Sequence, residues 1–247
     1  MIHVENFHKA YRDTIAVQDL NFALEAGDIL GLIGPNGAGK TSTMRCIAGI
    51  IPPTSGTISV AGHDIAREPI AAKSQIAYVP DDPKLFDTLT VWEHLEFVSA
   101  AYRVKDWQPR GEELLHRFDL TAKRGVIAQE LSRGMRQKVA ICCAYLHEPR
   151  AILFDEPHVG LDPRGIRTMK DSILERVRAG GSVIVSSHLL ELVEDMCTHL
   201  LILHQGQSLY FGRIGDARAA FSHLGDASLE EIFFHVTEGG AVESRPS

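Results

Sequence analysis

No apolar run in this chain approaches the roughly 18 to 20 residues that a helix needs to cross a bilayer. The longest, such as Val139 to Leu146, stop far short, so any membrane role is expected to come through a partner. The opening residues Met1-Ile2-His3-Val4-Glu5 offer no basic segment followed by an apolar stretch and a small-residue cleavage site, so the chain is expected to stay in the cytoplasm. Cysteine is scarce. The four residues Cys46, Cys142, Cys143 and Cys197 include no CxxC pair, three of them sit in apolar, helix-like runs, and adjacent Cys142 and Cys143 point to different faces of a helix. Ligand spacing for zinc is absent, and reduced core thiols suit the cytosol. Positive charge is also in deficit, with 25 Lys and Arg against 32 Asp and Glu for a net charge of -7. That balance argues against nucleic acid as a partner, because neutralising a phosphate backbone needs clustered cations.

What the chain does have is length and apolar content, 247 residues and 45% hydrophobic, enough for one large domain or a domain with an inserted subdomain. Short apolar runs recur at Ile29-Leu30-Gly31-Leu32-Ile33, Ile76-Ala77-Tyr78-Val79, Ala151-Ile152-Leu153-Phe154 and Ser182-Val183-Ile184-Val185. Parallel strands buried on both faces read this way, and helical patterns lie between them, so the fold class is α/β. Residues 1 to 26 alternate instead, as in Val17-Gln18-Asp19-Leu20-Asn21-Phe22, which predicts an N-terminal antiparallel β part. Between Thr90 and Leu146 the strand signal vanishes, and Trp92, Leu95, Phe97 and Val98, then Leu114, Leu115 and Phe118, fall at helical spacings. The expected organisation is a single domain over 1–247, with a core from 1–89 and 148–237 and a helical insertion over 90–147. Ser228-Leu229-Glu230-Glu231 has a capping-box pattern that opens a last helix, Leu229 to Val236. The small, polar tail 238–247 is expected to fray.

Gly34-Pro35-Asn36-Gly37-Ala38-Gly39-Lys40-Thr41 matches G-x-x-x-x-G-K-[ST], directly after a predicted strand and before a helix expected to start at Ser42. Glycines let backbone amides curl around phosphate oxygens and Lys40 reaches the β and γ phosphates. The helix start adds positive potential, and the Thr41 hydroxyl ligates Mg²⁺. The run Ala151 to Glu156 ends an apolar strand in two carboxylates, at the sheet edge where the phosphate loop also lies. Asp155 suits Mg²⁺ binding, directly or through water, and Glu156 is positioned to orient or deprotonate an attacking water.

These elements mark a P-loop ATPase with a RecA-like core, and further motifs narrow the family. Leu131-Ser132-Arg133-Gly134-Met135-Arg136-Gln137 resembles the signature of the ABC transporter ATP-binding subunits, usually written LSGGQ, and sits the expected short distance before the Asp155-Glu156 strand. Ser186-Ser187-His188 resembles their switch-histidine loop, Gly160-Leu161-Asp162 their D-loop, and Tyr78-Val79-Pro80-Asp81 occupies the place of their Q-loop. With Tyr11 as the adenine-stacking aromatic, the resemblance spans Tyr11 to His188, and the ending Ser228 to Val236 resembles the ABC-2 branch.

The resemblance implies an ATP-hydrolysing subunit that works as a homodimer or pseudo-dimer, peripheral on the cytoplasmic face of the membrane and coupled to a separate integral membrane permease. ATP with Mg²⁺ would be held by Tyr11, Gly34 to Thr41 and Ser42 of one subunit and by Ser132, Arg133, Gly134, Met135 and Asp162 of the other. Glu156 and His188 would be catalytic, and Thr41, Asp81 and Asp155 would serve the metal. Arg133 departs from the usual glycine, in a form familiar in the ABC-2 branch. Asp81 stands where glutamine is usual; one methylene shorter, it would reach Mg²⁺ through water. Of twelve histidines only His188 is singled out. Others, such as His147 and His158, lack a ligand at i+4 and are expected on the surface or in loops. A non-transport ABC ATPase, such as a cofactor-assembly ATPase, is the alternative function, and a nucleotide-gated module without turnover is disfavoured by Glu156 and His188.

Overall fold

The computed structural model describes residues 1–221 and 228–239; residues 240–247, most of the tail expected to fray, lie outside them. The first half of the chain forms β1 (Ile2–Tyr11), β2 (Thr14–Leu24), β3 (Ile29–Ile33), α1 (Lys40–Ile47), β4 (Ser55–Val60), β5 (His63–Asp64), α2 (Pro69–Ser74), β6 (Ile76–Val79), α3 (Val91–Tyr102) and α4 (Gln108–Arg117). The second half adds α5 (Arg133–Leu146), β7 (Ala151–Asp155), α6 (Pro163–Arg178), β8 (Ser182–Ser186), α7 (Leu190–Met196), β9 (His199–His204), β10 (Gln207–Arg213), α8 (Ile214–Ala220) and α9 (Leu229–Phe234).

The apolar runs lie side by side in a six-stranded sheet of order β10-β9-β3-β8-β7-β6. It is parallel from β9 to β6, and β10 closes one edge antiparallel. Both faces are covered, which is why these strands carry no polar alternation. Ile29 and Ile33 of β3, Ile152 and Phe154 of β7, and Val183 and Val185 of β8 join the helical side. Their alternates Leu30, Leu32, Leu153 and Ile184 meet Met44 and Ile47 of α1 and Ile2, Val4 and Phe7 of β1 on the other side. Each such side chain contributes about 1.5 to 3 kcal/mol on leaving water, and truncating Leu32 to Ala would cost about 2 to 5 kcal/mol.

The N-terminal half-alternating segments form a separate antiparallel sheet, β2-β1-β4-β5. Register shifts interrupt the β1–β2 pairing, and Val17, Leu20, Met44 and Ile47 place this sheet in one apolar cluster with α1. The helices α3, α4 and α5 share one apolar cluster with β3, β6 and β7, through Val91, Leu95, Leu115, Phe118, Val139 and Cys142. Thr90 starts α3 with a reciprocal capping box to Glu93. The same device opens α9, where Ser228 Oγ accepts from the Glu231 amide at 3.2 Å and Glu231 returns the bond. That helix ends at Phe234 and passes into a π turn, His235–Gly239, two residues before the expected end at Val236.

Candidate active site

The chain leaves β3 through Gly34 and enters α1 at Lys40, two residues before the expected start at Ser42. Gly39 explains the difference: it caps the helix in a left-handed conformation, φ 107°, so the Lys40 and Thr41 amides already belong to the first turn. A Cβ there would meet the Ala16 carbonyl oxygen at 2.4 Å, so both conformation and space demand glycine. Lys40 is buried, and its ammonium donates to Gly34 O at 2.6 Å and Pro35 O at 3.2 Å, across the loop. Burial pulls its pKa down, opposed by the carboxylates of Glu156 and Asp155. A cleft of about 270 Å³ is lined by Asn36, Gly37, Gly39, Lys40, Thr41 and Ser42 together with Asp81, Asp155 and Glu156. Ala16, which the sequence did not single out, completes the wall from β2.

Asp155 is 2% exposed and held from both sides. Ser186 Oγ donates to its Oδ1 at 2.5 Å and the Tyr78 hydroxyl donates to its Oδ2 at 2.9 Å. Burial, then the Asp155 charge, holds the Tyr78 hydroxyl well above its ordinary pKa, so it remains a donor. Neither partner was legible as a site residue; both arrive through strand pairing, β7 lying between β6 and β8.

Glu156 turns out of β7 with φ 47°, an unfavourable conformation for a residue with a side chain. Its amide is tied to Ser186, donating to the Oγ at 3.1 Å. Its Oε2 accepts from His188 Nδ1 at 2.8 Å, so the predicted acid and the predicted histidine meet directly. His158 lies in a turn, the one after β7, but is buried rather than on the surface, with Nε2 3.8 Å from Glu156 Oε2. The carboxylate it faces is not four residues on but two residues back, in the same turn. Burial lowers its pKa, opposed by Glu156. His147 is half-buried, its ring stacked on Tyr102 with centroids 3.7 Å apart.

The other predicted residues lie outside this cleft. Ser132 caps α5, its Oγ accepting from the Met135 amide at 3.3 Å. Gly134 packs on the D-loop so closely that a Cβ would sit 2.3 Å from Gly160 O. Arg133 reaches the Asp81 carbonyl at 3.4 Å, and buried Gln137 donates to Pro80 O at 3.2 Å, so α5 is strapped to the segment that carries Asp81. Asp162 caps α6 within its own chain, accepting from the Gly165 amide at 2.9 Å. Tyr11 is exposed at the rim, its hydroxyl 3.4 Å from Ser42 Oγ.

Residues 17–159 match the family described as ABC transporter. The ABC-type transporter ATP-binding protein EcsA of Bacillus subtilis is 35% identical over 98% of both chains. The linearmycin resistance ATP-binding protein LnrL of the same organism is 35% identical over 86% of this chain and 69% of its own. A solved ATP-binding subunit of an ABC transporter superposes with a TM-score of 0.91 at 34% identity, covering 96% of this chain and 99% of that one. The chain thus belongs to the ABC transporter family, as an ATP-binding and ATP-hydrolysing subunit whose turnover drives transport.

Proposed function

We propose that two copies of this chain, or one copy and a second ATP-binding subunit, close head to tail around ATP and pass that motion to a membrane permease. The observation that carries this is the shared cleft: the phosphate loop and the Asp155–Glu156 carboxylates line it together, while the signature residues of the same chain do not. Gly34, Pro35, Asn36, Gly37, Ala38, Gly39, Lys40, Thr41 and Ser42 bind the phosphates and Tyr11 stacks on adenine. Ser132, Arg133, Gly134, Met135 and Asp162 meet the nucleotide from the partner, where the start of α5 offers amides and a positive dipole end.

Glu156 acts as general base on water and His188 contacts the γ-phosphate. Thr41, Asp81 and Asp155 give the cleft a hard, all-oxygen donor set, which fits Mg²⁺. Bound there, the ion would neutralise phosphate charge. Loss of the bridging γ-phosphate then opens the dimer, a ligand-linked switch.

No described helix is long and apolar enough to cross a membrane. A second groove of about 270 Å³, however, lies between the Pro80–Phe86 segment and helices α3 and α5, lined by Leu85, Phe86, Phe97, Tyr102 and Cys143. Phe86 and Phe97 are 52% and 51% exposed, an apolar surface suited to a short cytoplasmic helix of the permease. The chain then sits on the cytoplasmic face as a peripheral subunit. Co-expression with a candidate permease, followed by purification and an ATPase assay, tests the whole. A complex whose hydrolysis responds to the permease is expected, and a chain that hydrolyses ATP but never co-purifies would move the function to a soluble assembly ATPase.

A further inference from the structure

At the edge of the phosphate cleft the Glu156–His188 pair is joined by a third side chain, His158, to which the hydrolytic reading gives no role. Glu156 and His158 follow β7 and His188 follows β8, and one ligand atom from each lies within 4.8 Å of the others. Glu156 Oε2 stands 2.8 Å from His188 Nδ1 and 3.8 Å from His158 Nε2, and the histidine rings meet edge to face with centroids 4.8 Å apart. His158 is 8% exposed, yet neither of its ring nitrogens has a hydrogen-bond partner. Burying an imidazole unpaired is costly, and the contact to Glu156 is too long to repay it as a hydrogen bond. It does suit a shared ion: in a tetrahedral site with bonds of about 2.0 to 2.2 Å, neighbouring donors stand about 3.3 to 3.5 Å apart.

We propose that Glu156, His158 and His188 form a site for a divalent transition metal such as Zn²⁺, with three protein ligands and an open fourth position, and that a metal held there stops hydrolysis. Two imidazoles and one carboxylate favour Zn²⁺, Cu²⁺ or Ni²⁺ over Mg²⁺, which takes oxygen donors. The site is therefore chemically distinct from Thr41 and Asp155, a short distance away. A metal ligated by Glu156 and His188 withdraws the carboxylate from water and the imidazole from phosphate. The inhibitory half rests on the assignment of Glu156 as general base; the binding half does not.

The probes are Co²⁺, read by visible absorption, and Zn²⁺, read by calorimetry, on the full chain without nucleotide or Mg²⁺. One equivalent of Co²⁺ should give tetrahedral bands without a thiolate charge-transfer band, and Zn²⁺ should displace it. His158→Gln should weaken Zn²⁺ binding at least tenfold. His158→Cys should keep binding and add the thiolate band, which also shows that the altered turn still folds. Unchanged Zn²⁺ affinity in His158→Gln, or no band in a folded His158→Cys protein, overturns the site. If Zn²⁺ binds through His158 while hydrolysis in Mg²⁺ continues undiminished, the site stands and the role of Glu156 as base falls. If no metal binds but Glu156→Gln stops turnover, the site falls and the base stands.

Discussion

His188 Nδ1 donates to Glu156 Oε2 across 2.8 Å, joining two residues 32 positions apart in sequence. The bond exists because β7 and β8 are neighbours in register, with Asp155 opposite Ser186, so the loops leaving them share one edge of the sheet. Because a carboxylate can only accept, the proton sits on Nδ1 and Nε2 is left for another partner. The Glu156 backbone pays for this with a positive φ, held by its bond to Ser186. Acid and histidine are thus positioned by each other before any nucleotide chemistry begins.

Glu156→Gln keeps the size of the side chain but removes the carboxylate proposed as the base. ATP binding should persist, since the phosphate loop is untouched, while turnover falls on the order of a hundredfold or more. Size-exclusion chromatography with ATP should reveal a stabilised dimer. Hydrolysis at the wild-type rate in the folded variant rules out the assignment.

Lys40→Ala acts on binding itself. Removing a charge-assisted contact to phosphate costs about 1.5 to 3 kcal/mol, or roughly tenfold to a hundredfold in affinity. The ammonium also crosses the loop to Gly34 O and Pro35 O, so some loop order goes with it. Titration with a fluorescent ATP analogue gives the dissociation constant, and an unchanged value would mean that phosphate binds elsewhere.

The Gly34–Ser42 side of the cleft was legible because consecutive residues line it, at a spacing the sequence shows directly. Asp155 and Glu156 were legible for a related reason, as acids ending an apolar strand. Tyr78 and Ser186 were not, because only the register of β6, β7 and β8 brings them to Asp155; His158 was not, because the turn it shares with Glu156 has no spacing rule that marks a buried histidine. One further signal was present in the sequence: Asp162 followed by Pro163 is an N-cap with proline in the first turn, and the structure has that cap. The α1 start was misjudged by two residues because a left-handed glycine N-cap carries no side-chain signature.

Gly134 has a steric duty inside its own chain, whatever it does for nucleotide across a dimer. In Gly134→Ala the new Cβ would lie 2.3 Å from Gly160 O, so α5 or the D-loop must shift, at about 1 to 3 kcal/mol. Thermal unfolding of the monomer without nucleotide should fall accordingly. A melting temperature equal to wild type would mean that the glycine serves only the partner's ATP.

His147 makes the acid side of the stability profile testable. Burial lowers its pKa from 6.5 to about 4. Between those values the unfolded chain takes up a proton that the folded chain refuses, so this contribution is present above pH 6.5 and lost as pH falls toward 4. Since the ring is only half-buried, the loss is on the order of 1 to 2 kcal/mol. His147→Gln should flatten the decline in melting temperature over that range, and parallel wild-type and variant curves would refute the link.

Phe86 tests the coupling groove. Its ring is 52% exposed, and it is supported by Phe97 edge-on at 5.1 Å and by His94 at 6.1 Å rather than by the main core. Its backbone amide donates to His94 Nε2 at 3.0 Å, a bond that survives a change of side chain. A charged residue can therefore turn to water in the isolated chain, so Phe86→Glu should fold and bind ATP as wild type does. Against an apolar helix of a permease the same carboxylate would be desolvated without a partner, which costs several kcal/mol, on the order of a hundredfold or more in affinity. Co-purification with the permease should be lost while ATP binding is retained. If Phe86→Glu is folded by circular dichroism and still co-purifies at wild-type yield, the permease docks somewhere other than this groove.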